Sequence, residues 1–362
     1  MKIKLPILTV LAAILFGCVS NVEKSNRQIA LKAMSPIEMG VILPKSENSE
    51  LAAEIKNAMT LAAEEFNTLQ TKNSSKINLL FLETGNSKEE LYTAIEVLKL
   101  RNADVIHAGF TKQCAFELKK FEETGALVNF FSQYPPIATQ TENAVRIFLN
   151  GAQVCEEMTK KIPAAKTEEK KSEIILAEDS VLGKSCTEFL KFQTGSLNIK
   201  IFTESFSENE ENFSLLAQSI TNIDYVLLYA PEEKQNAILK SLSEAGFKGR
   251  IYASCALQNK GANSFKNLKI EKVKSAFELG KTNAAEFKSA YQKRFKSRPN
   301  LAAAVAYDSV KITANAILNA AKDAKAAKLL LKGKTFEGVS GKIEFDSYGD
   351  AVLPLELVND GR

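Results

Sequence analysis

Short apolar runs alternate with amphipathic segments along most of the chain, beginning at Ile37. The runs are rich in Val, Ile, Leu and Phe and end at polar or glycine-containing residues, which is typical of buried strands. In the first part of the chain they are IEMGVILP, INLLFLE, DVIHAG and ALVNFF. The segments between them carry apolar residues three and four positions apart, as in Leu91, Ile95 and Leu98. Buried strands that alternate with helices predict a parallel sheet covered on both faces.

The same alternation continues in the second part of the chain, in the runs EIILAE, IKIFTESF, IDYVLLYA and GRIYAS. With 362 residues, the chain is longer than one ordinary compact domain and long enough for two lobes. The predicted fold class is therefore α/β, with two doubly wound parallel-sheet lobes.

A long helix is predicted to begin at Leu301, in the sequence LAAAVAYDSVKITANAILNAA. Its apolar residues recur at steps of three and four and predict one buried side, and its many alanines predict close packing against a neighbour. The alternating segment from Val339 to Phe345 follows among several glycines and predicts a strand that ends in a turn at Asp346 to Asp350.

The order AYDSVKITANAI followed by FEGVSGKIEFDSYGDA resembles the C-terminal signature of the type I periplasmic binding proteins, the family of leucine/isoleucine/valine-binding receptors. Gly40 to Pro44 and Leu61 to Asn67 are similar to first-lobe motifs of that family. The motifs are loose, but together they cover about Ile37 to Arg362. The resemblance implies a binding protein in which a small molecule lies between two lobes.

The resemblance also implies a multi-crossing hinge, with the chain passing between lobes near Asn143, Gly280 and Gly333. The expected division is lobe 1 from 36–142 and 281–332, and lobe 2 from 143–280 and 333–362.

The N-terminal sequence MKIKLPILTVLAAILFGC has a basic start and an apolar run too short for a permanent membrane span. Its end, Leu15 to Cys18, resembles a bacterial lipobox with Phe16 at a position that is usually small. We expect residues 1–18 to form a lipoprotein signal peptide that ends at Cys18, which would carry the lipid anchor. An ordinary signal cut elsewhere and an uncleaved anchor are the alternatives. The polar stretch 19–35 is expected to be a flexible tether.

Composition argues against several classes of function. The 47 basic and 43 acidic residues are interspersed, which predicts no nucleic-acid surface. The first strand is followed by PKSENSE without glycine, which argues against a dinucleotide cofactor. With one histidine, His107, a histidine-rich metal site is excluded, and His107 is expected in the core. We therefore expect no enzyme activity, no cofactor and no metal.

Five cysteines are present, of which four follow Cys18. An exported protein can form disulfides, but four cysteines allow three full pairings and their spacing selects none. The pairing among Cys114, Cys155, Cys186 and Cys255 stays open at this point.

The carboxyl ends of parallel strands are where ligands bind in doubly wound sheets. The loops expected there supply the candidate ligand contacts. They are Ser46, Thr111, Gln113, Ser132, Tyr134 and Tyr229. Each of these side chains has an alternative role in capping or stabilising its own turn.

Three departures from the family pattern bear on the ligand. Leu182 stands where the family has an aromatic residue, and the second-lobe loop SCALQ lacks the acid that holds an amino acid's ammonium group. Lys112 is added in the first-lobe loop FTKQC. Unless Asp179 or Glu232 replaces the missing acid, these departures predict weak binding of branched-chain amino acids and favour a polar or anionic small molecule.

The leading hypothesis is a lipid-anchored, extracytoplasmic solute receptor that delivers a small ligand to the membrane permease of an ABC-type transporter. The alternative is a regulatory lipoprotein of the same fold that acts by binding a protein, as activators of peptidoglycan synthases do. An enzyme is disfavoured because the sequence offers no nucleophile paired with a base. The sequence leaves the ligand, and the choice between inner and outer membrane, open.

Overall fold

The fold is described from a computed structural model, for residues 35–45, 50–70, 75–85, 87–110, 114, 116–134, 138–165, 171–255 and 265–359. The strands are β1 (Ile37–Pro44), β2 (Ile77–Thr84), β3 (Val105–Ala108), β4 (Leu127–Phe130), β5 (Ala144–Val145), β6 (Ser172–Glu178), β7 (Lys200–Phe206), β8 (Tyr225–Tyr229), β9 (Arg250–Ala253), β10 (Lys269–Ser275), β11 (Thr335–Gly338), β12 (Gly341–Phe345), β13 (Ala351–Val352) and β14 (Leu355–Asn359).

The helices are α1 (Glu50–Leu69), α2 (Lys88–Leu100), α3 (Leu118–Glu122), α4 (Gly151–Thr159), α5 (Val181–Thr194), α6 (Ser214–Ser219), α7 (Glu232–Glu244), α8 (Ala285–Phe295), α9 (Leu301–Asn319) and α10 (Ala324–Leu331).

The first lobe is built on a five-stranded parallel sheet in the order β2-β1-β3-β4-β5. Successive side chains of a strand point to opposite faces, so a strand covered on both faces must be apolar throughout. In β1, Val41 packs into the core that contains α1 and α9, whereas Ile42 packs into the core that contains α2. The continuous apolar run of β1 is explained by this double burial.

The second lobe is built on a six-stranded sheet in the order β14-β10-β9-β8-β6-β7. Its strands are parallel except β14, which runs antiparallel to β10. Ile175 and Leu227 face the side of α4 and α5, and Leu176 and Leu228 face the other core, which includes Leu242 of α7. The predicted α/β class with two helix-covered sheets is confirmed.

The helix α9 begins at Leu301, as expected, but the prediction of one buried side is wrong. It is buried around most of its circumference, including the polar Asp308, Ser309 and Thr313. The hydroxyls of Ser309 and Thr313 donate to carbonyls of the preceding turn, which satisfies them inside the core. By length and composition α9 is apolar enough to cross a membrane, but most of it is enclosed within the protein.

Two further local predictions are corrected. Val339 does not belong to a strand, because it lies with Ser340 in the turn between β11 and β12, where Gly341 has φ +121°. The alternation of strands and helices predicts a helix across the segment between β3 and β4, but among the described residues of that segment the α-helix covers only Leu118–Glu122. Glu117 precedes that helix without a side-chain cap, so the start lacks the usual stabilisation.

The strands β11, β12 and β13 form a small antiparallel sheet of their own. Its turn is held by Asp308 of α9, whose carboxylate accepts hydrogen bonds from the backbone N–H groups of Val339 (2.9 Å) and Ser340 (2.8 Å). The chain then continues through β14, which adds an edge strand to the second-lobe sheet. The last part of the chain therefore contacts both lobes.

Candidate ligand-binding cleft

The two lobes meet where strands of both sheets end at their carboxyl sides. Ser132, Gln133 and Tyr134 follow β4 of the first lobe, and Tyr229 is the last residue of β8 in the second. Loops at this edge of a parallel sheet have free backbone groups and converge on one space, so this is where a ligand site is expected.

Gln133 joins the lobes through both its backbone and its side chain. Its carbonyl accepts a hydrogen bond of 2.9 Å from the N–H of Gly151, the first residue of α4. Its side-chain Oε1 accepts another from the hydroxyl of Tyr229. Burial raises the pKa of Tyr229, so the phenol keeps its proton and acts as the donor. These two bonds hold the first-lobe loop against the wall of the second lobe.

Arg146 lies beneath the same loop and is fully buried. Its guanidinium donates to the carbonyl of Ser132 (3.2 Å) and to that of Tyr134. It also forms an ion pair with Asp350. Burial raises the pKa of Asp350 more than Arg146 lowers it. The arginine therefore ties the candidate loop to the chain segment just before β13.

Aromatic rings pack between the first-lobe loops that follow β3 and β4. Phe110, which follows β3, stacks on Phe131 with ring centroids 4.4 Å apart. Gly109 allows this approach, because a Cβ atom there would lie 2.7 Å from the backbone nitrogen of Phe131. The ring of Tyr134 packs against that of Phe116 at 5.8 Å. Two neighbouring loops are thus held together by aromatic contacts.

The second-lobe wall is formed by the starts of α4 and α5. A Cβ atom built on Gly151 would lie 3.3 Å from the Tyr229 hydroxyl and 3.4 Å from the sulfur of Cys186. The side chain of Asn150 accepts the N–H of Ala152 at 2.9 Å and caps α4. The glycine at this position is what allows the first-lobe loop and Cys186 to approach the helix together.

A carboxylate that sequence reasoning missed lies at the end of β10. Glu278 accepts hydrogen bonds from the backbone N–H and the hydroxyl of Ser275, both at 2.8 Å, and from the thiol of Cys255 at 3.7 Å. Cys255 follows β9, so Glu278 lies close to the second-lobe loop that begins with SCALQ. Of the acids considered from the sequence, Asp179 is exposed and pairs with Lys184 at 2.8 Å.

His107 is in the core, as expected from its apolar neighbours in β3. It is fully buried, and its Nδ1 lies 3.3 Å from the side-chain nitrogen of Asn129. Burial lowers the pKa of His107 to about 3, so the ring is neutral at physiological pH. Its burial and its neutral ring are those of a core histidine, as expected from the sequence.

The structure brings three of the predicted contacts, Ser132, Tyr134 and Tyr229, to the junction of the lobes. The hydroxyl of Ser132 accepts the N–H of Tyr134 at 3.3 Å, which is the turn-stabilising role considered as its alternative. The other predicted residues lie outside the described ones. They are Ser46, Thr111, Gln113 and the lipidation site Cys18.

Sequence reasoning missed two central residues, Gln133 and Arg146. Gln133 lies between two predicted contacts and carries no motif of its own, so no signal identified it. Arg146 could have been found, because it is a single charge within the apolar sequence AVRIFLN, and a buried charge needs a partner.

Comparison with known proteins identifies a family and solved structures that resemble this chain. A family model described as periplasmic binding protein matches residues 36–355. None of the curated protein sequences compared with the chain matches it significantly.

Among solved structures, the branched-chain amino acid substrate-binding protein LivJ of Streptococcus pneumoniae, in complex with isoleucine, is 17% identical with a TM-score of 0.74, over 90% of this chain and 97% of that one. The leucine-binding protein LivK of Thermotoga maritima is 19% identical with a TM-score of 0.72, over 90% and 96%. A solute-binding protein of an ABC transporter from Rhodopseudomonas palustris, in complex with 3,4-dihydroxybenzoic acid, is 19% identical with a TM-score of 0.72, over 90% and 95%.

At these identities the solved structures establish the fold, whereas the family model extends over nearly all of the residues after 35. The expectation of a binding protein and not an enzyme is confirmed, since the family and these neighbours are binding proteins. The family also places the folded part of the chain outside the cytoplasm. The chain belongs to the periplasmic binding protein family.

Proposed function

We propose that the protein is a lipid-anchored solute receptor of an ABC-type transporter, and that it holds a small polar or anionic ligand between its lobes. The observation that carries this proposal is the pair of hydrogen bonds from Gly151 and Tyr229 to Gln133. They join the carboxyl ends of two parallel sheets, and a hinge can break and remake hydrogen bonds of this kind when a ligand enters.

A small acid is the ligand class that fits the first-lobe side. The partly exposed rings of Phe110, Phe116 and Tyr134 offer apolar surface beside backbone groups, and the buried Phe131 supports Phe110 from behind. In the sequence, Lys112 lies between those two segments and would supply a positive charge for a carboxylate. The solved relatives are described with leucine, isoleucine or hydroxybenzoic acids, all of which are carboxylates. We propose Ser46, Thr111, Gln113, Ser132, Tyr134 and Tyr229 as the ligand contacts.

A thermal-shift screen of protein lacking residues 1–18 tests this proposal. The panel contains leucine, isoleucine, benzoate, 4-hydroxybenzoate, 3,4-dihydroxybenzoate, short peptides and aliphatic organic acids. A specific ligand at a hundred times its dissociation constant adds about 2.7 kcal/mol to the free energy of unfolding. We expect such a shift with an acid that lacks an ammonium group, and a smaller one in Tyr229→Phe, which loses the bond to Gln133. Exposed Tyr348→Phe is the matched control.

If no compound of the panel shifts the melting temperature, the solute-receptor proposal is contradicted and the regulatory lipoprotein that binds a protein is favoured. Tight binding of leucine would leave the receptor role intact and overturn the ligand class.

We also propose that the chain is anchored to the membrane through Cys18. The support is the sequence from Leu15 to Cys18 after a short apolar run, followed by the polar stretch 19–35 before the first strand. Metabolic labelling with a fatty acid is expected to mark the wild type and not Cys18→Ala. Equal labelling of both proteins would refute the anchor.

The division into 36–142 with 281–332, and 143–280 with 333–362, is proposed as the pair of bodies that move. It is supported by β1 to β5 forming one sheet and β6 to β10 another, and by the packing of α9 on α1. Structures of open and liganded protein would differ by rotation about residues near Asn143, Gly280 and Gly333. Rotation about any other set of residues would contradict the division.

A further inference from the structure

Two cysteines of the second lobe face each other across the helices that form the cleft wall. Cys155 lies on α4, four residues after Gly151 and hence on the same side of that helix. Cys186 lies on α5, and its sulfur would be 3.4 Å from a Cβ atom at Gly151. The helices α4 and α5 pack against each other, and both cysteines belong to the same buried core. Both are buried and reduced in this structure.

The other two described cysteines have different surroundings. Cys114 follows β3 in the first lobe, so it belongs to another core. Cys255 lies on the second lobe after β9, and its thiol faces the carboxylate of Glu278 at 3.7 Å. The geometry therefore selects one of the pairings that the sequence left open.

We propose that Cys155 and Cys186 form a disulfide that links α4 to α5 directly behind the cleft. A disulfide needs two sulfur atoms to approach to about 2.05 Å, and side-chain rotation can bring together two cysteines on the packed helices α4 and α5. The family's location outside the cytoplasm matters because disulfides persist there in the cell. The chemistry itself depends on the fold.

The oxidant is the disulfide of a thiol–disulfide exchange partner. The Cys186 thiolate attacks one of its sulfur atoms, which forms a mixed disulfide and releases one thiolate. The Cys155 thiolate then attacks the Cys186 sulfur, forms the intramolecular bond and releases the second thiolate. Two electrons and two protons pass from the cysteine pair to the partner. The neighbouring Cys155 thiol lowers the pKa of Cys186, which suits Cys186 for the first attack.

The bond would stiffen the second-lobe wall next to the contact between Tyr229 and Gln133. It also closes a loop of roughly 30 residues, which in the chain-entropy model limits the unfolded state and raises stability. Oxidised protein should therefore melt about 5–10 °C higher than reduced protein.

The test uses protein lacking residues 1–18, refolded from urea in oxidised or reduced glutathione buffer so that burial does not limit access. After acid quenching, remaining thiols are alkylated with N-ethylmaleimide in denaturant and counted by intact mass. We expect two alkylated thiols after oxidation and four after reduction, and a non-reduced peptide map that joins Cys155 to Cys186. The matched control C114S/C255S should keep the redox-dependent change in mass and melting temperature, and C155S/C186S should lose both.

Four alkylated thiols after refolding in oxidised glutathione would overturn the proposal. A cross-link that involves Cys114 or Cys255 would overturn it equally. These outcomes are independent of the ligand screen, so failure of the disulfide and failure of the receptor function are distinguishable.

Discussion

Glu173 is a carboxylate in an unfavourable place, and its replacement by glutamine gives a test of the second lobe. It lies in β6 between β7 and β8 and is fully buried. Its Oε1 accepts a hydrogen bond of 2.9 Å from the hydroxyl of Thr194, at the end of α5. Among the described residues, its Oε2 has no hydrogen-bond partner. The ionised carboxylate of Glu173 therefore gains one hydrogen bond from a neutral hydroxyl but loses its hydration, so burial disfavours the charged form.

The direction of the pH effect follows from the pKa of Glu173. Burial raises it from 4.5 to about 7. Between pH 4.5 and 7, Glu173 keeps its proton in the folded protein but has lost it in the unfolded chain. The stability that the folded protein has with Glu173 protonated is therefore fully present below pH 4.5 and is lost as pH rises to 7. One pKa unit corresponds to about 1.36 kcal/mol, and the full loss is therefore about 3 kcal/mol. Glutamine stays neutral and should not show this loss.

Urea unfolding at pH 5 and pH 8, followed by circular dichroism because the chain has no tryptophan, measures the effect. At pH 8, Glu173→Gln should be more stable than the wild type by about 2–3 kcal/mol, and the difference should shrink at pH 5. Glu204→Gln, at an exposed position on the neighbouring strand β7, is the control and should match the wild type at both pH values. A Glu173→Gln protein that is less stable than the wild type at pH 8 would refute the reasoning.

Two further predictions concern the lobe junction. Arg146→Ala should lower the free energy of unfolding by about 3–5 kcal/mol, because it leaves the buried Asp350 without its cation. Adding Asp350→Asn should recover part of that loss in urea titrations, and no recovery would show that the ion pair is not the cause. Gly151→Ala should hinder closure, since its Cβ atom would lie 2.7 Å from the Gln133 carbonyl. Small-angle scattering should then give a larger radius of gyration than the wild type, and an unchanged radius would contradict the prediction.

The fold was accessible from the sequence because the inner strands of its sheets are buried on both faces. A run such as VIHA or YVLLY is apolar throughout only if both sides are covered, and that condition also implies the flanking helices. The strand β10, which lacks this signature, was missed. The strand β10 has the sequence KIEKVKS, in which lysine and glutamate occupy partly exposed positions next to the edge strand β14. Its pairing depends on long-range contacts that no local pattern contains.

The candidate site was only partly accessible for a similar reason. Strand ends identify the loops, and hence Ser132, Tyr134 and Tyr229, but not which side chains reach across to the other lobe. Gln133 contacts Gly151 and Tyr229 because of how the lobes approach each other. The role of Gly151 is visible only in the structure, where the carbonyl group of Gln133 occupies the space that a Cβ atom would need.

The position of Glu278 allows the two ligand classes of the solved relatives to be separated. Leucine and isoleucine carry an ammonium group that needs an acid, whereas benzoates do not. Glu278 lies near the loop where the sequence offers no acid, but its Oε2 already accepts both the N–H and the hydroxyl of Ser275. We therefore expect Glu278→Gln to leave the affinity for the best acid of the screen unchanged, measured by calorimetry. If Glu278 instead paired with a buried ammonium, its loss would cost about 2–5 kcal/mol, or roughly 30-fold to several thousand-fold in affinity. A loss of that size, seen for an amino acid and absent for benzoates, would refute the proposed ligand class and identify this carboxylate as the partner missing from SCALQ.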